Sequence, residues 1–273
     1  MSVLNQSITM NTGSPIPVLG LGTWQIPNDA VEAPVLAALK NGYRHIDSAA
    51  GYQNEVGVGN AIRNSGIPRS EIFVTTKIRA ELKTYEQAKQ EIADSLAKLD
   101  IDYIDLMIIH APRPWPEMGS TDGERYFEHN AQVYKALEEA HAAGTIKAIG
   151  VSNFMKDDLE ELLKRVQVVP AINQIRFHIG CLQADTVALC KEKGIVVEAY
   201  SPLATGRLLE DENLQKLADK YGVSTAQLAI QFTLQHGTVS LPKSTNEGRI
   251  IENATLDFVI SDEDMAHLNQ IEV

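Results

Sequence analysis

Short runs rich in Val, Ile and Leu alternate along this chain with longer stretches of helical periodicity. That alternation limits the possible folds more than any other feature. The runs are 18–24 (VLGLGTW), 43–47 (YRHID), 72–78 (IFVTTKI), 104–110 (IDLMIIH), 146–152 (IKAIGVS), 170–175 (PAINQI), 195–200 (IVVEAY) and 238–243 (TVSLPK). Most are apolar on both parities, as strands covered on both faces should be. Between them, 84–99 opens with a capping box from Thr84 to Gln87 and places Ala88, Ile92, Leu96 and Leu99 on one stripe. The stretch 131–144 ends in Gly144, a C-cap residue. Ser224 and Gln227 open 224–237 with a second capping box, and Pro34 falls in the tolerated first turn of 29–42.

Strands alternating with helices imply a parallel sheet, and about eight such units in ~250 residues fit a closed (β/α)8 barrel better than an open doubly wound sheet. A short N-terminal β-hairpin is expected ahead of it, from 7–10 through a turn at 11–13 to 16–20. The stretch GLGTWQ follows a strand, but no helix starts there and the third glycine of a dinucleotide fingerprint is missing. No P-loop, linker or low-complexity segment interrupts the pattern, so residues 1–273 are expected to form a single domain.

With 24 Lys and Arg against 36 Asp and Glu, the net charge of −12 argues against nucleic acid or an anionic membrane as partner. The opening MSVLNQSITM has neither a charged n-region nor an apolar h-region, and no apolar run could span a bilayer. Cys181 and Cys190 lack metal-type spacing and are expected to be reduced, buried core thiols. A monomeric cytoplasmic protein acting on a small molecule, without a metal, is the expectation.

In such barrels the working residues sit at the C-terminal ends of the strands. Those ends carry Trp24, Asp47 with Tyr52 just beyond it, Lys77, His110, Ser152 with Asn153, Gln174, Tyr200 and Lys243. Taken singly, an aspartate here is a cap, a tyrosine a rim aromatic and a histidine a satisfied core residue. Lysine at the end of a buried strand is harder to dismiss, because it is rare unless paired. Together on one rim they suggest chemistry. A cation near a phenol lowers its pKa, an expected role of Lys77 toward Tyr52, while Asp47 keeps the lysine charged and aimed. His110 is placed to hydrogen-bond a substrate oxygen. The set reads as a proton donor facing a polarised carbonyl.

Those residues resemble the aldo-keto reductases over essentially the whole chain. HIDSAAGYQNE is similar to the family's signature around its aspartate and catalytic tyrosine, IGVSNF to its central motif, and LPKSTNEGRIIEN to its C-terminal cofactor motif. The resemblance implies a catalytic tetrad of Asp47, Tyr52, Lys77 and His110, with Tyr52 the general acid. It also implies a nicotinamide dinucleotide, NADPH, bound without a Rossmann fold. Ser152, Asn153 and Gln174 match the residues on the nicotinamide carboxamide, and Tyr200 the aromatic stacked on its ring. Ser201 and Leu203 match the stretch along the pyrophosphate, Lys243, Ser244 and Arg249 the pocket for the 2′-phosphate, and Glu252 and Asn253 the adenine contacts. A basic pair at the last strand end of an acidic chain suits that phosphate role.

Three positions depart from the family pattern. Ala111 stands where many relatives have tryptophan, so the pocket beside His110 is expected to be lined by Ala111, with Trp115 as a partial substitute wall. Arg176 replaces an expected glutamate and Ile179 an expected proline; Arg176 is expected to alter a buried polar contact near the cofactor. The short ending MAHLNQIEV suggests that the long C-terminal loop of larger relatives is absent, as in the bacterial branch that resembles 2,5-diketo-D-gluconate and glyoxal reductases. Reduction of small dicarbonyls and keto-sugars follows as the expected activity. Two rival readings are a cofactor-binding sensor or scaffold with little turnover, and a phosphate-sugar isomerase using Lys243. Oxidation of NADPH by a simple aldehyde separates both from a reductase.

Overall fold

The computed structural model describes residues 2–120 and 123–271. An antiparallel hairpin comes first, β1 (Ser7–Thr9) with β2 (Pro15–Pro17). Then follow β3 (Leu21–Gly22), α1 (Glu32–Lys40), β4 (His45–Asp47), α2 (Glu55–Asn64), β5 (Phe73–Ile78), α3 (Tyr85–Leu99), β6 (Ile104–Ile109) and α4 (Phe127–Ala142). The second half runs β7 (Ile146–Ser152), α5 (Lys156–Leu163), β8 (Ile172–Arg176), α6 (Ala184–Glu192), β9 (Val196–Tyr200), α7 (Glu212–Tyr221), α8 (Thr225–Gln235), β10 (Val239–Leu241), α9 (Glu247–Asn253) and α10 (Asp262–Leu268).

The eight strands β3 to β10 lie side by side in chain order, every pair parallel. The ring is closed by backbone hydrogen bonds from Gly20 N to Ser240 O (2.9 Å), Ser240 N to Val18 O (2.8 Å) and Gly22 N to Pro242 O (3.0 Å). The fold is therefore the (β/α)8 barrel that the alternation implies. Close approach requires glycine at several positions, two of them in or next to the barrel strands. A Cβ on Gly20 would lie 2.7 Å from Leu241 Cδ2 and 2.8 Å from the His45 ring, and one on Gly150 would lie 2.5 Å from the Ile172 carbonyl oxygen.

The barrel floor is apolar: Leu106, Ile108, Ala148, Ile172, Val239 and Leu241 pack with Met10 and Ile16 of the hairpin region. The hairpin thus plugs the N-terminal end. A larger apolar layer lies between strands and helices. Both expected capping boxes form, at Thr84 with Gln87 and at Ser224 with Gln227, and Gly144 and Gly237 adopt φ of 80° and 75° after their helices. Among the described residues no helix is long and apolar enough to cross a membrane. Cys190 is buried, and burial pushes its thiol up to about 11. Cys181 is only partly buried, contrary to expectation, because it sits in the turn after β8 rather than on a packed face.

Candidate active site

Asp47, Lys77 and His110 stand at the ends of adjacent strands β4, β5 and β6, and Tyr52 follows β4 on a short 3-10 turn. Lys77 is fully buried, and its three N–H groups all have acceptors. Nζ donates to Asp47 Oδ1 (2.6 Å), to the Ser48 carbonyl (2.7 Å) and to the Tyr52 hydroxyl (3.4 Å). Burial alone would lower its pKa, but Asp47 and Tyr52 more than offset this and hold it above the ordinary lysine range. Lys77 therefore stays charged at neutral pH.

The phenol behaves otherwise than expected. Burial pushes Tyr52 up to about 12, against the opposing pull of Lys77. Desolvation of a phenolate outweighs a cation at 3.4 Å, so Tyr52 keeps its proton across the physiological range. Burial and the charge of Lys77 together depress His110 to about 3, leaving a neutral imidazole. Its ring stands edge-on to Tyr52, with centroids 5.5 Å apart. The resting site is a protonated phenol and a neutral imidazole, backed by a buried cation.

These groups open into a cavity of about 970 Å³. Its inner wall carries Asp47, Tyr52, His110, Ser152, Asn153 and Gln174, and Tyr200, Ser201 and Leu203 continue it outward. Lys243, Ser244, Arg249, Glu252 and Asn253 line its far end, and Trp24 and Trp115 stand at the mouth. Lys77 is not exposed to it, because it lies behind Tyr52. Ser152 Oγ donates to the Gln174 carbonyl (2.8 Å), and Asn153 Nδ2 donates to the His110 carbonyl (2.9 Å) and to Ser152 Oγ (3.0 Å). Tyr200 donates its hydroxyl proton to Asn153 Oδ1 at 2.7 Å. Ser201, Ala204 and Thr205 hold φ of 52°, 49° and 57°. Non-glycine residues seldom adopt that conformation, and it concentrates at ligand-binding segments. Among the described residues neither Lys243 nor Arg249 has a carboxylate partner.

Ala111 is the one proposed site residue that the structure moves elsewhere. It is fully buried and outside the cavity wall. The chain turns inward after His110 because Lys83, buried beneath it, donates to the Ala111 carbonyl (3.1 Å), the Pro112 carbonyl (3.0 Å) and Asn130 Oδ1 (2.9 Å). Trp115 forms the wall instead, its ring edge-on to His110 at 5.1 Å. Arg176 is exposed on the cavity wall rather than buried, opposite Tyr200 in the β8–β9 register. Ile179 is a core residue.

The strand-end reading missed a second polar layer below the rim. Gln174 Nε2 donates both to Asp47 Oδ1 (2.8 Å) and to Glu198 Oε2 (2.6 Å). Burial, reinforced by Asp47, pushes Glu198 far above the carboxylate range. His45 lies below it, Nε2 3.1 Å from Thr75 Oγ1 and 3.5 Å from Glu198 Oε1, and burial holds it neutral. At neutral pH the His45–Glu198 contact is between two uncharged groups and is no ion pair.

A parallel barrel with a lysine-backed phenol at its rim, beside a groove ending in the two cations Lys243 and Arg249, is built as a small-molecule oxidoreductase. The chain belongs to the aldo/keto reductase family, which residues 18–273 match. The glyoxal reductase of Bacillus subtilis (strain 168) is 42% identical over 271 residues, spanning 98% of this chain and 93% of that protein. A crystal structure of an aldo/keto reductase from Brucella melitensis superposes with a TM-score of 0.89 at 39% identity, covering 97% of this chain and 98% of the other. A Bombyx mori aldo-keto reductase in complex with NADP has a TM-score of 0.86 at 35% identity, covering 97% and 92%.

Proposed function

We propose that this protein reduces small aldehydes and ketones, dicarbonyls and keto-sugars among them, to alcohols with NADPH, and that Tyr52 supplies the proton. The observation that carries the reading is the full commitment of Lys77: its three donors fix Asp47, the Ser48 carbonyl and the Tyr52 hydroxyl, leaving one protonated phenol turned to the cavity. Membership of a reductase family and the glyoxal reductase relative support the substrate class.

The cavity residues fit a phosphorylated dinucleotide. Lys243 and Arg249 offer a point charge and a planar fork for the 2′-phosphate, beside Ser244. Glu252 and Asn253 would hold the adenine end, Ser201 and Leu203 the pyrophosphate, and Tyr200 would offer a ring face to the nicotinamide. Ser152, Asn153 and Gln174 would hold its carboxamide. When bound, the reduced nicotinamide supplies the hydride that the carbonyl carbon accepts. His110, neutral, donates a hydrogen bond to the carbonyl oxygen and orients it toward Tyr52. As negative charge grows on that oxygen, Tyr52 releases its proton to it, and Lys77 stabilises the phenolate left behind until solvent reprotonates it. One hydride and one proton convert the carbonyl to an alcohol.

The test is NADPH consumption with methylglyoxal by the wild type and by Tyr52→Phe. The variant should lose about 10²-fold or more in kcat, the scale of general acid catalysis, while still binding NADPH. Near wild-type turnover would reject Tyr52 as the acid. A wild type that oxidises no NADPH across a carbonyl panel would reject the reductase reading and favour a cofactor-binding sensor.

A further inference from the structure

The glutamate inside the barrel has no part in the proton transfer described above, yet it touches the group expected to read the nicotinamide amide. Gln174 is 2% exposed, and its side-chain nitrogen lies within hydrogen-bond distance of two carboxyl oxygens on different strands, Asp47 Oδ1 (2.8 Å) on β4 and Glu198 Oε2 (2.6 Å) on β9. An amide nitrogen has two hydrogens. Both are spent, so the amide can offer the cavity only its carbonyl oxygen. Two acceptors on one planar group also fix the plane, whereas a single acceptor leaves the amide free to pivot about its last torsion. Asp47 is itself fixed, because it accepts from Lys77 at 2.6 Å. Glu198 is therefore the second anchor. It is fully buried on the middle of β9, and its only hydrogen-bond donor among the described residues is Gln174.

We propose that Glu198 is a positioning residue for the cofactor: with Asp47 it locks the Gln174 amide so that Oε1 accepts a hydrogen bond from the carboxamide NH2 of the nicotinamide. The proposal rests on the NADPH reading given above. It makes the protein selective for a carboxamide over a group of the same shape that lacks the donor. Ser152 at the end of β7 and Asn153 just beyond it would meet the carboxamide from the other side of Gln174 from Glu198, so loss of Glu198 leaves them in place.

The experiment compares binding of NADPH with that of its acetylpyridine analogue, in which a methyl group replaces the NH2. Both are titrated by fluorescence against the wild type, Glu198→Gln and Glu198→Leu. The wild type should prefer NADPH by roughly three- to tenfold, the value of one hydrogen bond. Glu198→Gln keeps an acceptor oxygen and should keep the preference. Glu198→Leu should bind both ligands with nearly equal affinity. Retention of the full preference by Glu198→Leu, or an equal loss for both ligands, would overturn the role of Glu198. A wild type that binds NADPH without any preference would overturn the Gln174 contact as well, and one that binds neither ligand would instead reject the cofactor reading. If Glu198→Leu does not fold, Glu198→Val supplies the same comparison with a smaller side chain suited to a strand.

Discussion

Replacing Lys77 by methionine tests whether the buried ion pair serves stability or proton transfer. Methionine has a similar length but no donor. The substitution strands Asp47, 4% exposed, with the Gln174 N–H at 2.8 Å as its remaining side-chain partner, and leaves the Ser48 carbonyl without the donor at 2.7 Å. Removing one partner of a buried pair costs about 3–5 kcal/mol, because the other charge remains in a poor solvent. Adding Asp47→Asn removes that charge but not the orphaned carbonyl, whose own cost is about 1–3 kcal/mol. The double variant should therefore lie about 1–3 kcal/mol below the wild type and recover roughly 2 kcal/mol over Lys77→Met. Turnover should not follow stability. Neither variant has a cation to stabilise the Tyr52 phenolate, so both should lose about 10²-fold or more in kcat. Urea midpoints at equal slope, with kcat for methylglyoxal, give the two readouts. A double variant no more stable than Lys77→Met would refute the stranded-charge argument. Recovered turnover in the double variant would refute the catalytic one.

Arg249→Ala should weaken NADPH by roughly 1.5–3 kcal/mol, the range for a charged hydrogen bond, and leave NADH nearly unchanged; equal losses in fluorescence titration would show that Arg249 does not read the 2′-phosphate. Trp115→Ala should raise kcat/KM for a branched carbonyl relative to methylglyoxal, by tenfold for each ~1.4 kcal/mol of steric relief, while Ala111→Trp should cost about 1–3 kcal/mol of stability by overpacking. A substrate ratio that moves with Ala111→Trp and not with Trp115→Ala would put the wall back at position 111. Burial raises Glu198 from its ordinary 4.5 to about 8, so it holds a proton in the folded state that the unfolded chain releases. Its stabilising share is complete below the unfolded value and declines as pH climbs to about 8. Glu198→Gln should then gain in Tm relative to the wild type across that window and no further above it, and a gap independent of pH would contradict the buried neutral acid.

The strand runs were legible because both faces of a parallel barrel strand are covered, which leaves unbroken apolar stretches. The run 146–152 coincides with β7, whereas 18–24 shrinks to Leu21–Gly22, since its first residues pair with β10 across the closure. One helix per strand left no slot for α7, which follows β9 ahead of α8, or for α10 near the end, although Asp264 of α10 accepts from Lys220 of α7 at 2.7 Å. The rim residues were legible as polar side chains ending apolar runs. Ala111 was misplaced because position along the chain does not say which way the backbone turns, and the turn is set by Lys83, 28 residues earlier. The sign of the Tyr52 shift escaped for a related reason: a cation can be inferred from spacing, but the depth of burial that outweighs it cannot.

The polar layer beneath the rim was present in the sequence, two residues before Asp47, Lys77 and Tyr200. Side chains alternate along a strand, so residue i−2 points the same way as residue i, one level deeper. Counting back from Asp47, Lys77, Ser152, Gln174 and Tyr200 gives His45, Thr75, Gly150, Ile172 and Glu198. Three of the five are polar, and the structure joins them through the contacts of His45 with Thr75 and Glu198. A glutamate in IVVEAY and a histidine in YRHID are costly in strands buried on both faces, and burial answers by neutralising both. That leaves hydrogen bonding as what they offer at neutral pH. The charged pair of Asp47 and Lys77 sits one level higher, beside the cavity, where charge can act on Tyr52. The barrel thus grades from an apolar floor through a neutral polar layer to a charged rim, and the neutral layer supports the amide at Gln174 without placing a second net charge beside Asp47.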